Sequence, residues 1–583
     1  MRPIRLRAFS LSLVLVALCA GSCLAASFTF FEGTQYPLKV YTLEGREPGP
    51  TVMVQGGIQG DEMAGFLTAQ ILARSTVVRG SLIVIPRANV PSINVCRRQV
   101  NVDLNRRFDQ DYNAFFEDRL ARVIRFFLSK SDAFLHLHEG SGFYRPTYVD
   151  QLRNPRRYGQ SVIIDALSYE GLELAGLVND VLPELNAGLP EDRRFHLFNT
   201  DTFATSTAHA EQRKSLTYHA LVQQGIPALA IEVSKDLKDL EWKVRQQYRA
   251  ARLFLARLGV EVVPPEGAFD FLRSYPAKPP RLSVNGLALA AGGATRLTLP
   301  AYTALEVAAE PGEAEPLLDT VPAVFASDRL GVNLALAPRM PMSPFSSLEI
   351  RCDGKPLAQV RIDWQGQWRP VKLPDRGLLL VCWLNGQLRF VPPDGTLEAT
   401  VGDQLLIEGL WNGVPAEILN IKGIVSQSGP NTGQDAGCEI ILDPATFWAG
   451  YLERESAASV CKVVRETPGQ APAEFAIRLN DRRPTALVLV ADSGRVYEVP
   501  WADRGDATLP PGRYTLKDSR SNGPRDKLLP MLDDAPLTWG EVFHLSLNQT
   551  RQLILRQATT FDPLGSMSLA AGEPARVAAR DAP

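Results

Sequence analysis

Histidine is scarce in this chain of 583 residues, with six in all, and cysteine is little commoner, with seven. No Cys-x-x-Cys and no Cys/His cluster occurs, so a cysteine-based zinc site is not indicated. Neither sign of charge dominates: 62 Lys and Arg face 64 Asp and Glu, for a formal charge of −2. Without a basic excess the chain lacks the footprint of a nucleic-acid binder, and no nucleic-acid partner is expected. Long apolar runs are missing beyond the N-terminus. No later segment reaches the roughly 18 continuous apolar residues that span a bilayer, so no stable membrane insertion of the mature chain is expected. Disorder is excluded for most of the chain by 45% hydrophobic and 22% charged residues. One core rarely organises more than about 250–300 residues, so several domains are expected.

What is present begins with an export signal. Arg2, Arg5 and Arg7 precede an apolar run, Leu11 to Ala20, that is short for a bilayer span. Small residues then place cleavage after Ala25 or Ala26, so residues 1–26 read as a signal peptide. Cys23, after Ala20-Gly21-Ser22, makes a weak lipobox with a poor first position, which leaves a lipoprotein as the minor alternative. Removing three Arg and no acid takes the charge from −2 to about −5. Five cysteines remain: Cys96, Cys352, Cys382, Cys438 and Cys461. Export permits disulfides, with Cys352–Cys382 and Cys438–Cys461 as possible pairs whose connectivity the sequence leaves open.

Residues 27–263 alternate strand and helix signals. Thr51–Gln55, Ser81–Pro86, Ala133–His138 and Ala228–Val233 are short apolar runs, the form of strands buried on both faces. Phe115, Phe116, Leu120, Val123, Ile124 and Phe127 form an amphipathic stripe. Ala210–Gln224, ended by Gly225, and Lys238–Leu258 read as further helices. The alternation predicts an α/β domain on a mixed, mostly parallel sheet. After Val263 the texture changes. Pro264-Pro265, Pro276 and Pro279-Pro280 mark a linker zone, and strand signals dominate from there. Asn385-Gly386 is a hairpin turn pair. Strands are expected at Leu378–Leu384, Gln404–Ile407, Ile440–Leu442 and Ala486–Val490. Breaks near 365 and 470 divide this all-β region into 264–365, 366–469 and 470–583, in the style of small barrels or sandwiches.

Four clusters carry chemistry. Gln59 and Glu62, three residues apart, stand at the mouth of a glycine turn after an apolar strand. With His138 they read as a metal site in which one ligand is an amide oxygen, neutral and weaker than imidazole. A surface glutamine in a turn is the plain alternative. Arg98, Asn105 and Arg106 fall in one loop; arginine forks bind carboxylates bidentately, although a solvated basic loop would look the same. His136 and His138 alternate onto one side of a strand. His138 abuts the Glu139-Gly140 turn and is taken as the ligand, His136 as a neighbour that orients it or as an ordinary core histidine. Glu232 ends a wholly apolar strand, where a carboxylate costs free energy unless it is paired or functional. It is a candidate general base, a structural ion pair being the alternative.

In that order the four clusters resemble the zinc carboxypeptidase superfamily, including its aspartoacylase and succinylglutamate desuccinylase branch, over residues 30–260. A glutamine in the first ligand position resembles the bacterial cell-shape peptidoglycan D,L-carboxypeptidases. The resemblance implies a zinc-carboxypeptidase-like catalytic domain at 27–263, then a β-barrel-like domain, an immunoglobulin-like sandwich at 366–469 and an additional β-rich domain. It implies Zn²⁺ held by Gln59, Glu62 and His138, a terminal carboxylate gripped by Arg98, Asn105 and Arg106, and Glu232 as the base. It further implies a periplasmic enzyme that trims the peptidoglycan stem tripeptide to a dipeptide, releasing meso-diaminopimelate. A deacylase of N-acyl amino acids and a non-catalytic wall-binding protein are the rival readings. Oligomeric state is not expressed in any of these signals. Replacing Gln59 by His is expected to preserve or tighten metal binding, measured by metal analysis of the purified variant. Complete loss of metal would show that Gln59 does not occupy a ligand position.

Overall fold

A computed structural model describes residues 24–581 except 276–280, 290–294, 301–303, 311–322, 328–332, 337–339, 342–344, 367–376, 415–416, 425–432 and 576. Most of the expected leader and the Pro276–Pro280 part of the linker zone therefore lie outside the described residues. Among the described residues no helix is long and apolar enough to cross a membrane.

The N-terminal domain is built on one nine-stranded sheet. Its strands are β1 (Leu24–Phe30), β2 (Leu38–Glu44), β3 (Glu47–Gln55), β4 (Thr76–Ile85), β5 (Ala133–Gly140), β6 (Ser161–Ile164), β7 (His196–Asn199), β8 (Ala228–Ser234) and β9 (Glu261–Val263). They lie in the order β1-β2-β4-β3-β5-β8-β6-β7, with β9 on β4. The centre, β4-β3-β5-β8, is parallel, and so is β6-β7. The pairs β1-β2, β2-β4, β8-β6 and β4-β9 are antiparallel. The sheet is thus evenly mixed, with four parallel and four antiparallel pairings, not mostly parallel. Cleavage after Ala25 or Ala26 would trim the first residues of β1, which pairs from Leu24↔Glu44 onward.

Helices α1 (Met63–Leu72), α2 (Phe116–Leu128), α3 (Leu174–Asn186), α4 (Leu216–Gln223) and α5 (Leu240–Arg257) flank the sheet. One core joins α1, α3 and α5 to the sheet through Phe66, Leu135, Leu137, Val178, Ile231 and Phe254. Asp239 starts α5 by accepting from Trp242 N at 2.9 Å. The helix expected over 210–224 is broken. A 3₁₀ turn, Ala210–Lys214, precedes Ser215, whose extended backbone and hydroxyl cap α4 by accepting from Tyr218 N. A serine competes with helix continuation through just such local bonds.

The β-rich region follows in the same compact unit, which runs to Arg482 and includes Gln557–Asp562. A four-stranded sheet contains the hairpin β10 (Ser347–Cys352) and β11 (Lys355–Gln365). Beyond it, Leu379–Leu384 and Gln387–Val391 form the expected Asn385-Gly386 hairpin. A second hairpin, Ala458–Arg465 with Glu474–Asn480, shares their core through Leu380, Cys461, Phe475 and Ile477. The break placed near 470 falls inside this hairpin, since Phe475 and Ile477 complete a core begun before it. A separate unit, Arg483–Arg556 and Pro563 onward, has two five-stranded sheets that share one core, including Leu487, Tyr514, Leu553 and Leu569. Neither suggested disulfide forms, and all five cysteines are thiols. Cys382 and Cys461 instead serve as small core residues, and burial pushes each thiol up to about 12.

Helix α2 fixes the loop before it. Asp118 accepts from Ala114 N and Phe115 N and from Arg107 Nε at 2.6 Å. Glu117, fully buried, accepts from Asn101 N at 3.2 Å and Val102 N at 3.5 Å. Burial raises its carboxyl from 4.5 to about 7. The folded state therefore holds this proton more tightly than the unfolded chain. Its stabilisation is full below pH 4.5 and is lost as pH rises through 7, on the order of 3 kcal/mol at most. Glu117→Gln is expected to flatten the fall in thermal stability between pH 5.5 and 8.5; parallel wild-type and variant melting curves would count against it.

Candidate active site

The sheet brings the distant clusters together by register. Glu232 pairs with His138 across β8-β5, and Gln55 pairs with His136 across β3-β5. In parallel strands such partners project to the same face, at the C-terminal ends where open α/β sheets bind ligands. Gln247, buried on α5, clamps the two strands by donating to His138 O at 2.8 Å and Ile231 O at 3.0 Å.

Gln59, Glu62 and His138 are all buried. Their exposures are 2%, 3% and 5%. His138 Nδ1 lies 2.7 Å from Glu62 Oε2, which also accepts from Glu139 N at 3.2 Å. Burial pulls the His138 ring down, but the Glu62 carboxylate outweighs it and the net direction is up. A positive charge is thus favoured at the point where these two donor atoms meet. Gln59 Nε2 donates to both Asp103 oxygens, at 3.2 and 3.3 Å, which turns its carbonyl oxygen the other way. One anionic oxygen, one imidazole nitrogen and one amide oxygen, all buried, suit a divalent cation with an open position. Among the described residues no three His, Cys, Asp or Glu side chains converge on a metal site.

Glu232 stands beside this set, 7% exposed, with Oε2 lacking a protein partner. Burial pushes its carboxyl up to about 8, against the pull of His138. The structural ion pair weighed as its alternative does not form, whereas a buried carboxylate of raised basicity has the character of a general base.

The arginine loop is also at the site. Asp103 is its hub, accepting from Arg98 Nη2 at 2.7 Å and Nε at 3.1 Å and from Asn105 N at 3.0 Å. Asn105 Oδ1 accepts from Leu216 N, which leaves its amide nitrogen for a ligand. Arg106 is placed differently. It donates to Asn105 O at 2.7 Å and has no carboxylate within ion-pair distance among the described residues. Burial, then the neighbouring Arg98, pull its pKa down despite Asp103. An arginine held this way is ready for an anionic group.

His136 is fully buried, with both ring nitrogens unpartnered and its ring centroid 4.0 Å from that of His138. Burial holds its pKa well below normal, so it is neutral. Several residues at the site were not singled out in the sequence. Asp103 is visible only as a carboxylate between arginines. Lys235, one turn beyond Glu232, contacts Asp61 at 2.6 Å and Glu62 Oε1 at 3.5 Å. Tyr158, which feels the charges of Glu232, Arg106 and Arg98, belongs to an aromatic group with Phe198, Tyr144 and His209. These carry no motif, since aromatic side chains in loops read as packing.

Residues 13–268 match a family described as the catalytic part of carboxypeptidases controlling helical cell shape. An N-alpha-acetyl-L-2,4-diaminobutyric acid deacetylase from Halomonas elongata is 34% identical over 106 residues, 17% of this chain and 31% of that protein, so the chain spans about a third of that relative. Tripeptide-bound cell shape determinant Csd4 from Helicobacter pylori aligns over 76% of this chain and 100% of its own, at 19% identity and TM-score 0.44. A succinylglutamate desuccinylase/aspartoacylase from Rhodobacter sphaeroides aligns over 42% and 67%, at 20% identity and TM-score 0.29.

Asp103→Ala frees the Gln59 amide and the Arg98 fork together. Metal affinity is expected to fall about tenfold to a hundredfold, as for lost partners of metal ligands. Chelator competition measures it, and an unchanged affinity would remove Asp103 from that role.

Proposed function

We propose that this chain, whose residues 13–268 match the family of carboxypeptidases controlling helical cell shape, is an exported zinc D,L-carboxypeptidase of peptidoglycan. Its substrate is the stem tripeptide, trimmed to a dipeptide with release of meso-diaminopimelate. The observation that carries the reading is the register pairing of Glu232 with His138, beside Glu62 and within electrostatic reach of Arg98. A base, a metal-capable donor set and a carboxylate grip are the parts that exopeptidase chemistry requires.

Gln59, Glu62 and His138 would hold the metal. When bound, it supplies Lewis acidity, making water nucleophilic near neutral pH. Glu232 takes the proton of the attacking water and returns it to the leaving amine. Arg98, Asn105 and Arg106 bind the terminal carboxylate. Neutral His136 presses on the His138 ring and keeps it from turning. In the β-rich region, we read residues 281–365 as a barrel-like module, whose core also takes in Trp383 and Leu406, and 379–480 as an immunoglobulin-like sandwich. The leader of residues 1–26 supports delivery to the periplasm, where the wall substrate is found.

The short match to a deacetylase favours one rival, hydrolysis of N-acyl amino acids. Purified enzyme incubated with muropeptides and, separately, with acyl amino acids separates the two by mass spectrometry. Glu232→Ala is expected to lower hydrolysis of the tripeptide by at least about a hundredfold while metal content is retained. Near-full activity in that variant would remove Glu232 as the base.

A further inference from the structure

Loop 86–98 lies between two turns contributed by different parts of the chain. On one side is the turn that carries Gln59 and Glu62. Ala88 N and Asn89 N donate to Gly56 O and Gly57 O, and Gly60 N donates to Arg97 O at 3.0 Å. The approach is so close that a Cβ on Gly60 would sit 2.0 Å from the backbone carbon of Ser92. On the other side is the tip of the β10-β11 hairpin, Asp353-Gly354, with φ of +46° and +77°. Arg87 donates to both Asp353 oxygens, at 2.5 and 3.0 Å, with the two side chains 11% and 5% exposed. A Cβ on Gly354 would meet Cys96 Cβ at 2.4 Å and Cys96 N at 2.6 Å. Arg98 follows Cys96 by two residues.

A two-residue hairpin turn needs Asp-Gly for its positive φ values, and that need ends with the backbone. It does not require the Asp353 carboxylate to be buried on a bidentate arginine of another domain, which involves desolvating both charges. Nor does it require the glycine to lie against a neighbouring loop with no room for a methyl group. Both features belong to docking. Their common result is that loop 86–98 is wedged between the hairpin tip and the ligand turn.

We propose that Asp353 and Gly354 are positioning residues of the active site. The hairpin tip of the β-rich region presses loop 86–98 onto the Gln59–Glu62 turn and so sets where the Arg98 guanidinium meets substrate. The role of Arg98 is that of the function proposed above, and the inference rests on it. The β-rich region is then part of the substrate site.

The test uses the full chain with Asp353→Ala, Gly354→Ala and the charge exchange Arg87→Asp/Asp353→Arg. Hydrogen exchange of amides 88–98 is expected to quicken at least about tenfold in the two single variants, while β5 and β8 stay protected. KM for the tripeptide is expected to rise about tenfold to a hundredfold with kcat within threefold, since misplacement by about 1 Å is that costly. The charge exchange is expected to restore KM to within about threefold. Unchanged exchange in 88–98, faster exchange throughout the domain, or faster exchange with unchanged KM would each overturn the inference. If the wild type does not hydrolyse the tripeptide, the functional reading fails by itself, and exchange of 88–98 still decides whether the tip holds the loop.

Discussion

The Glu139 carboxylate is the constraint on which the site depends. It is nearly fully buried, accepts from Ala64 N at the start of α1 at 2.5 Å and from Lys243 on α5 at 2.5 Å, while its own N–H donates to Glu62. One residue thus joins the strand of His138, the helix that begins beside Glu62 and the helix that clamps β5 to β8. Burial pushes its pKa up against the pull of Lys243. Removing Lys243 would leave a buried charge unpaired, a loss of about 3–5 kcal/mol, which exceeds the roughly 1.5–3 kcal/mol for burying one large apolar side chain. The site therefore rests on a buried ion pair whose partners lie outside the reacting groups.

Charge bears on the amide at position 59 as well as geometry does. Glu62 lies within electrostatic reach of Glu232 and Glu139, and Arg98 within reach of Asp103 and Asp61; Arg98, Lys235 and Lys243 balance several of these carboxylates. Asp103 fixes the glutamine by its amide nitrogen and so chooses which atom is presented. A histidine at position 59 would bring a nitrogen donor, whose second ring nitrogen Asp103 would then have to satisfy. The orienting carboxylate is suited to either side chain, which is why a single substitution at position 59 need not disturb the rest.

Much of this was legible in the sequence because parallel central strands are buried on both faces and stand out as apolar runs. Within those runs the polar residues His136, His138 and Glu232 were conspicuous. Their pairing was not, since register between strands nearly a hundred positions apart leaves no local trace. Asp103 and Lys235 looked like ordinary surface charges, and only the fold turned them inward. The break near 470 has a related origin: the hairpin joining Ala458–Arg465 to Glu474–Asn480 crosses a Pro- and Gly-containing stretch that reads as a linker. The cysteine pairs failed because burial in a core and pairing in a disulfide leave the same composition.

The register partnership of His138 with Glu232 has a kinetic side. These residues meet only after the chain between them, which carries strands β6 and β7 and helices α3 and α4, has been looped out and returned to the sheet centre. Closing so long a loop is entropically slow, and parallel pairing repays it late. The His138–Glu232 pair is therefore among the last contacts to form. A partly folded chain can hold much of its secondary structure and remain hydrolytically silent, so activity reports completion of the whole domain.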